Sequence, residues 1–194
     1  AALIPVEEVV ISMTNLGYIK RLPTSEYRAQ RRGGKGITAH KPKDEDFVKN
    51  MFISSTHDDV MFFTSLGKVF RIKGYEIPEV QRTARGRAIV NLLQLAEGEK
   101  VNAIIPVKEG TEGFIAMATR NGLIKKTPLV EFDNIRKTGK IAIGLKENDE
   151  ILTVMLTSGN DDILICANNG RMIRFNETEI RVLGRSASGV KGIE

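Results

Sequence analysis

Apolar residues in this chain fall in short runs broken by turn residues, with almost no helical spacing. One pattern recurs four times: an apolar run, a three-residue connection ending in glycine, and a second run ending on a cation. The copies read VVISMT-NLG-YIKR to Arg21, VMFFT-SLG-KVFR to Arg71, FIAMAT-RNG-LIKK to Lys126 and ILICA-NNG-RMIR to Arg174. Short apolar runs bounded by turn signals predict β-strands, and a three-residue connection closing on glycine predicts a hairpin. The last residue of such a loop commonly takes left-handed backbone, where glycine carries no Cβ penalty. The turn glycines Gly17, Gly67, Gly122 and Gly170 follow one another at 50, 55 and 48 residues.

Two residues past each turn glycine stands an apolar side chain: Ile19, Val69, Ile124 and Met172. Four residues past it stands a cation: Arg21, Arg71, Lys126 and Arg174. Side chains alternate along a strand, so the two share a face. The pattern predicts a strand that starts in the core and runs out to a basic rim. A second landmark follows at fourteen or fifteen residues past the glycine: Arg32, Arg82, Arg136 and Arg185, each followed by small residues and a further glycine. Further strand-like runs follow this loop, as at residues 88–93 and 101–107, then 141–145 and 151–157. Only two stretches, 25–28 and 177–180, read as helical, each one turn long.

Four strands in a unit of about 50 residues predict an all-β, propeller-like array of four-stranded blades. A unit this small cannot bury its own face, so neighbours must stack. Within a single domain over 1–194, blade 1 is placed at about 3–55, blade 2 at 56–107, blade 3 at 108–157 and blade 4 at 158–194. The fourth copy lacks its last strand, as a fragment of a longer array would.

A hydrophobic fraction of 41% is enough for a packed core, which argues against disorder. No apolar run reaches the roughly 18 to 20 residues of a membrane helix, and no charged start followed by an apolar stretch predicts a secretory leader. The lone Cys166 cannot form an internal disulfide, and its apolar strand setting predicts a buried structural thiol. A net charge of +5 and a pI near 9.4 favour a polyanionic partner.

Candidate chemistry is thin. The GGKG at 33–36 lacks the spacing of a phosphate-binding P-loop. His40 and His57 have no companion ligands, so no metal site is expected. Tyr27 reads as a packing residue in a loop, not a nucleophile. Asp58-Asp59 and Asp161-Asp162 precede hairpins and read as turn acids. No catalytic residue is assigned.

The heptapeptide Gln30-Arg31-Arg32-Gly33-Gly34-Lys35-Gly36 matches the box motif of the DNA gyrase A C-terminal domain. Its approach, Tyr18-Ile19-Lys20-Arg21-Leu22-Pro23 and Glu26-Tyr27-Arg28-Ala29, is similar to that family. So are the stretches 83–92 and 125–134. The resemblance spans essentially the whole chain. It implies a β-pinwheel, a propeller-like domain whose blades exchange strands, with six blades in the usual gyrase member. The counterpart in topoisomerase IV has a degenerate or missing box, so an intact box favours gyrase.

The resemblance also implies a function: sequence-independent binding and bending of duplex DNA around a basic rim. That wrap would let the whole ATP-dependent topoisomerase introduce negative supercoils. The box residues Gln30 to Gly36 are the first candidate DNA contacts. Around them stand Lys20, Arg21 and Arg28. The later repeats add Arg71, Lys73, Arg82, Arg85 and Arg87, then Lys125, Lys126, Arg136, Lys137 and Lys140, and finally Arg171, Arg174, Arg185 and Lys191. The domain is expected to hold no cofactor, with ATP and Mg2+ used elsewhere in the parent enzyme. Its partners would be duplex DNA, the rest of gyrase A, and gyrase B in an A2B2 heterotetramer. The setting would be the bacterial cytoplasm at the nucleoid, with no membrane contact and the isolated domain monomeric. A propeller that binds only proteins, as a scaffold, is the competing reading.

Overall fold

The computed structural model describes residues 3–28, 46–166 and 169–192. The first strands are β1 (Glu8–Thr14), β2 (Tyr18–Pro23), β3 (Val48–Ser55), β4 (Asp59–Thr64), β5 (Lys68–Lys73), β6 (Arg87–Ala88) and β7 (Val101–Val107). They are followed by β8 (Phe114–Thr119), β9 (Leu123–Pro128), β10 (Lys140–Ile141), β11 (Ile151–Thr157), β12 (Asp162–Cys166), β13 (Met172–Asn176) and β14 (Val190–Lys191). Three sheets have four strands, in the orders β3-β1-β2-β6, β10-β5-β4-β7 and β11-β8-β9-β14, and β12 pairs with β13 alone. The all-β, four-stranded expectation holds for the first three repeats.

Each hairpin forms where the sequence placed it. Gly17, Gly67, Gly122 and Gly170 have φ of +88°, +75°, +86° and +80°, the left-handed backbone that glycine adopts without strain. In the first three, the glycine amide donates to a threonine carbonyl three residues back, Thr14, Thr64 or Thr119, at 3.0 Å. The hydroxyl of the same threonine accepts the amide of Tyr18, Lys68 or Leu123. One threonine thus closes the turn twice, once through its carbonyl and once through its hydroxyl.

The outer edge of each four-stranded sheet is completed by the following repeat. Two-residue strands lie antiparallel on the second hairpin strand, pairing Ile19 with Arg87, Val69 with Lys140 and Ile124 with Val190. The carbonyls of Gly17, Gly67 and Gly122 accept the amides of Ile89, Ala142 and Gly192. The strands expected over 88–93 and 141–145 are therefore far shorter than the apolar runs suggest. After β6 the chain winds into a 3-10 turn, Ile89–Asn91. After β10 it drops Ala142 and Ile143 into the core, at 0% and 1% exposure. Their apolar character serves burial, not pleating.

Contacts group the chain into two compact units. One comprises Ala1–Val60, Ile72–Leu95 and Pro106–Glu109; Val9, Ile11, Ile19 and Ile77 are fully buried in it. The other comprises Met61–Arg71, Ala96–Ile105 and Gly110–Glu194; Phe62, Phe63, Val69 and Phe132 are buried there. A single helical turn follows each hairpin: α1 (Thr24–Arg28), then 3-10 turns at Gly74–Glu76, Leu129–Phe132 and Glu177–Glu179. Both helical stretches expected from sequence are among them.

Close approach makes Gly86 indispensable to this exchange. Its φ is +96°, and a Cβ there would lie 2.5 Å from the Ile19 carbonyl oxygen. Gly170 has φ +80° with nothing within 4 Å. Gly86→Ala is expected to lower stability by about 3 kcal/mol, and Gly170→Ala by about 1 kcal/mol. Urea midpoints of the two variants check this ordering.

Candidate nucleic-acid interface

The four cations predicted to line a rim are, in three cases, turned into the protein. Arg21 Nε donates to the Ile77 carbonyl at 2.6 Å, and its Nη1 lies 3.4 Å from Glu79. Arg71 Nη1 donates to the Phe132 carbonyl at 3.0 Å and lies 3.6 Å from Asp133. Lys126 is 4% exposed; its Nζ sits 3.2 Å from Glu177 and 4.6 Å from the centre of the Phe114 ring. The carbonyl and carboxylate partners all belong to the following repeat, Phe114 alone being of Lys126's own hairpin, so these side chains tie repeats together. The expectation of a rim is corrected for them, and a buried Lys126 is out of reach of a duplex. Only Arg174 stays on the surface, 75% exposed and paired with Asp162 of its own hairpin at 2.8 Å.

The correction has a local cause. Ile19 and Arg21 share a face, and Ile19 points into the core. Met172, the apolar counterpart beside Arg174, is 63% exposed, so there the face is open and the cation is too.

Lysines three residues past the turn glycine also point inward. Lys20 Nζ donates to the carbonyls of Arg82 at 2.7 Å and Ala84 at 2.9 Å. Lys125, 0% exposed, donates to the carbonyls of Gly184, Arg185 and Ala187 at 2.8, 2.9 and 2.8 Å. All three protons of an ammonium are used. Burial lowers the Lys125 pKa to about 8, with Arg185 adding to the fall and Glu131 opposing it. Burial, then Arg82, lowers that of Lys20. Lys125 is therefore a second correction: its ammonium is a strut for a loop, not a surface charge.

The remaining candidates divide by what they touch. Arg82, Arg87, Arg136, Lys137 and Arg171 are exposed. Arg85 lies 3.8 Å over the Tyr18 ring and 3.9 Å from Asp46, half exposed. Lys73 pairs with Asp59 at 3.3 Å, and Lys140 donates to the Asp133 carbonyl. Arg185 donates to the Ile141 carbonyl, and Lys191 is exposed at the last described strand. Arg28 closes helix α1. Gln30, Arg31, Arg32, Gly33, Gly34, Lys35 and Gly36 lie outside the described residues, as does His40. The structure thus brings Lys20 to the loop of Arg82 and Arg85, and Lys125 to the loop of Arg185.

Asp58 and Asp161 close turns as expected, accepting the amides of Ser55 and Ser158. His57 Nε2 meets the Ile4 carbonyl at 2.8 Å. Tyr27 lies in α1, not a loop, and is 47% exposed. Cys166 is exposed, against the buried thiol expected, because β13 is the only strand beside β12 among the described residues. No cluster of potential metal ligands occurs among the described residues.

Sequence reasoning missed Glu177, which is fully buried. Its carboxylate accepts the Thr157 hydroxyl and the amides of Gly159 and Asp161, all at 2.7 Å, besides Lys126. Burial alone would raise its pKa; the four donors together outweigh this and hold it below the usual carboxylate value. Its partners lie far off in sequence, and the one local signal was an acid at the start of an expected helical turn.

The chain resembles known proteins along its whole length. The family model described as DNA gyrase C-terminal domain, beta-propeller, matches residues 8–55, 58–108, 113–158 and 161–194. The DNA gyrase A protein of Clostridium acetobutylicum is 51% identical over 191 residues, covering 98% of this chain and 23% of that protein. That of Escherichia coli K12 is 47% identical over 192 residues, covering 98% and 22%. The chain therefore spans under a quarter of these curated relatives. Among solved structures, a DNA gyrase A C-terminal domain superposes with a TM-score of 0.78 at 26% identity, covering 97% of this chain and 61% of that one. The C-terminal domain of DNA topoisomerase IV gives 0.77 at 28%, covering 99% and 58%.

Replacing Glu177 by Gln leaves the Lys126 ammonium buried without its counter-charge, which is expected to cost about 3 kcal/mol. The depressed carboxylate contributes stability above the ordinary carboxylate pKa and loses it as pH falls through the folded value. Melting temperatures measured from pH 7 down to pH 3 should therefore fall more steeply for the wild type than for Glu177→Gln.

Proposed function

The chain belongs to the DNA gyrase C-terminal domain family, and from that membership we propose that it binds and bends duplex DNA without sequence choice. The observation that carries this reading is the pair of exposed cations at matched repeat positions, Arg82 and Arg136, with exposed Arg87 and Lys137 close by in sequence. Neutralising phosphates with such side chains releases counterions and drives binding whatever the sequence. Bending a site of 20 to 30 base pairs costs on the order of 1–6 kcal/mol, which many phosphate contacts offset.

In the longer protein this binding becomes a chiral wrap that presents a second duplex segment to the DNA gate, and ATP-driven passage then leaves negative supercoils. The box residues Arg31, Arg32 and Lys35 anchor part of that wrap. Strand passage, ATP and Mg2+ belong to other parts of the parent enzyme, where gyrase A and gyrase B form an A2B2 assembly in the bacterial cytoplasm. The domain itself needs no cofactor. Arg21, Arg71, Lys125 and Lys126 hold the repeats in place and are left out of the contact set.

Incubating the chain with closed circular plasmid and a nicking-closing enzyme tests the proposal. A shift in linking number is expected, together with affinity that falls at least tenfold between 50 and 200 mM salt. Salt-independent binding, or none, would instead favour a protein-binding scaffold.

A further inference from the structure

We propose that Lys20 and Lys125 are positioning residues that turn two loops into phosphate cradles built from backbone amides, an inference that rests on the DNA-binding reading above. A peptide bond is planar and trans, so the carbonyl of one residue and the amide of the next point in opposite directions. Lys20 draws the Arg82 and Ala84 carbonyls inward. The amides of Thr83 and Arg85 must then face away from it. Lys125 draws in the carbonyls of Gly184, Arg185 and Ala187. The amides of Arg185, Ser186 and Ser188 face outward in turn. Among the described residues none of these five amides has a hydrogen-bond acceptor.

Outward amides grouped on a loop form an anion-binding concavity, and phosphate oxygens commonly take such donors alongside Arg side chains. The first loop carries Arg82, Arg85 and Arg87 around its amides. The second adds the hydroxyls of Ser186 and Ser188. The two cages arise at one register, three residues past Gly17 and Gly122. The second repeat supplies an internal contrast. Phe70 stands at that register, and its ring lies against Gly139 of the next loop, where a Cβ would come within 2.9 Å. The Lys140 ammonium of that loop reaches only the Asp133 carbonyl at its start, so no ammonium draws in the carbonyls around Arg136 and Lys137, and those side chains are left to meet DNA without an amide cradle.

Lys125 is the decisive position, because an ammonium with no exposure cannot itself touch a ligand. Binding of a 30-base-pair duplex is measured against salt for the wild type, Lys20→Met and Lys125→Met, below each variant's melting temperature. Amide resonances are followed while duplex, or inorganic phosphate, is added to the wild type. Each methionine variant is expected to bind about tenfold more weakly at 0.1 M salt, with a log–log salt slope shallower by about 1. In the wild type, duplex should shift the Thr83, Arg85, Ser186 and Ser188 amides and leave Thr138 in place. Should Lys125→Met fail to fold, Lys20→Met and the amide shifts decide. Folded variants with wild-type affinity and slope, or duplex binding that leaves those amides unmoved, would overturn the cradles alone. Amides that move with free phosphate but not with duplex would overturn them too. Absence of salt-dependent binding by the wild type would remove the DNA-binding reading, and the cradles with it.

Discussion

A two-residue strand pairing, Ile19 with Arg87, recurs as Val69 with Lys140 and as Ile124 with Val190. An open strand edge exposes unpaired amides and carbonyls, which are a liability unless covered. Each of these three hairpins is covered by a segment borrowed from the following repeat. Stability is thereby shared between neighbours, as expected when one repeat cannot bury its own face. The β12–β13 hairpin has no such cover among the described residues, and Met172 and Leu164 on it stay more than half exposed.

That borrowing decides where the positive charge goes. Once the next repeat lies over the second hairpin strand, cations on that strand meet its carbonyls and acids. Arg21 finds Ile77 and Glu79, Arg71 finds Phe132 and Asp133, and Lys126 finds Glu177. A charge taken out of water needs partners of this kind. The candidate cations left exposed among the described residues lie on loops, as Arg82, Arg136 and Lys137 do, or on the short and last strands, as Arg87, Arg174 and Lys191 do. The same positive surplus thus serves cohesion where the next repeat covers it and stays at the surface where it does not.

Much of this was legible in the sequence. The four turn glycines and the apolar runs on either side of them mark the hairpins, because hairpin chemistry is local; the threonine hydroxyls that close three of the turns were not read from the sequence. The inward turn of Arg21 and the burial of Lys126 were not legible. Their partners lie more than 50 residues downstream, and nothing within the strand tells a rim from an interface. A hint was nonetheless present: a cation on the same face as buried Ile19 has reason to point inward. The brief strands β6 and β10 were overestimated for a related reason. An apolar run marks burial, and at Ile89 or Ile143 burial is reached by turning off the strand. The box motif was legible as a family signature, and its residues lie outside the described part of the chain.

The central claim is that the borrowed strands are integral to the sheets they join. Residue-resolved hydrogen exchange in the native state tests it most directly. The amides of Ile89 and Ala142, which donate to the Gly17 and Gly67 carbonyls, should exchange at rates close to those of hairpin amides in β1, β2, β4 and β5. Exchange of Ile89 and Ala142 at the rate of solvent-exposed loops, with the hairpins still protected, would contradict it.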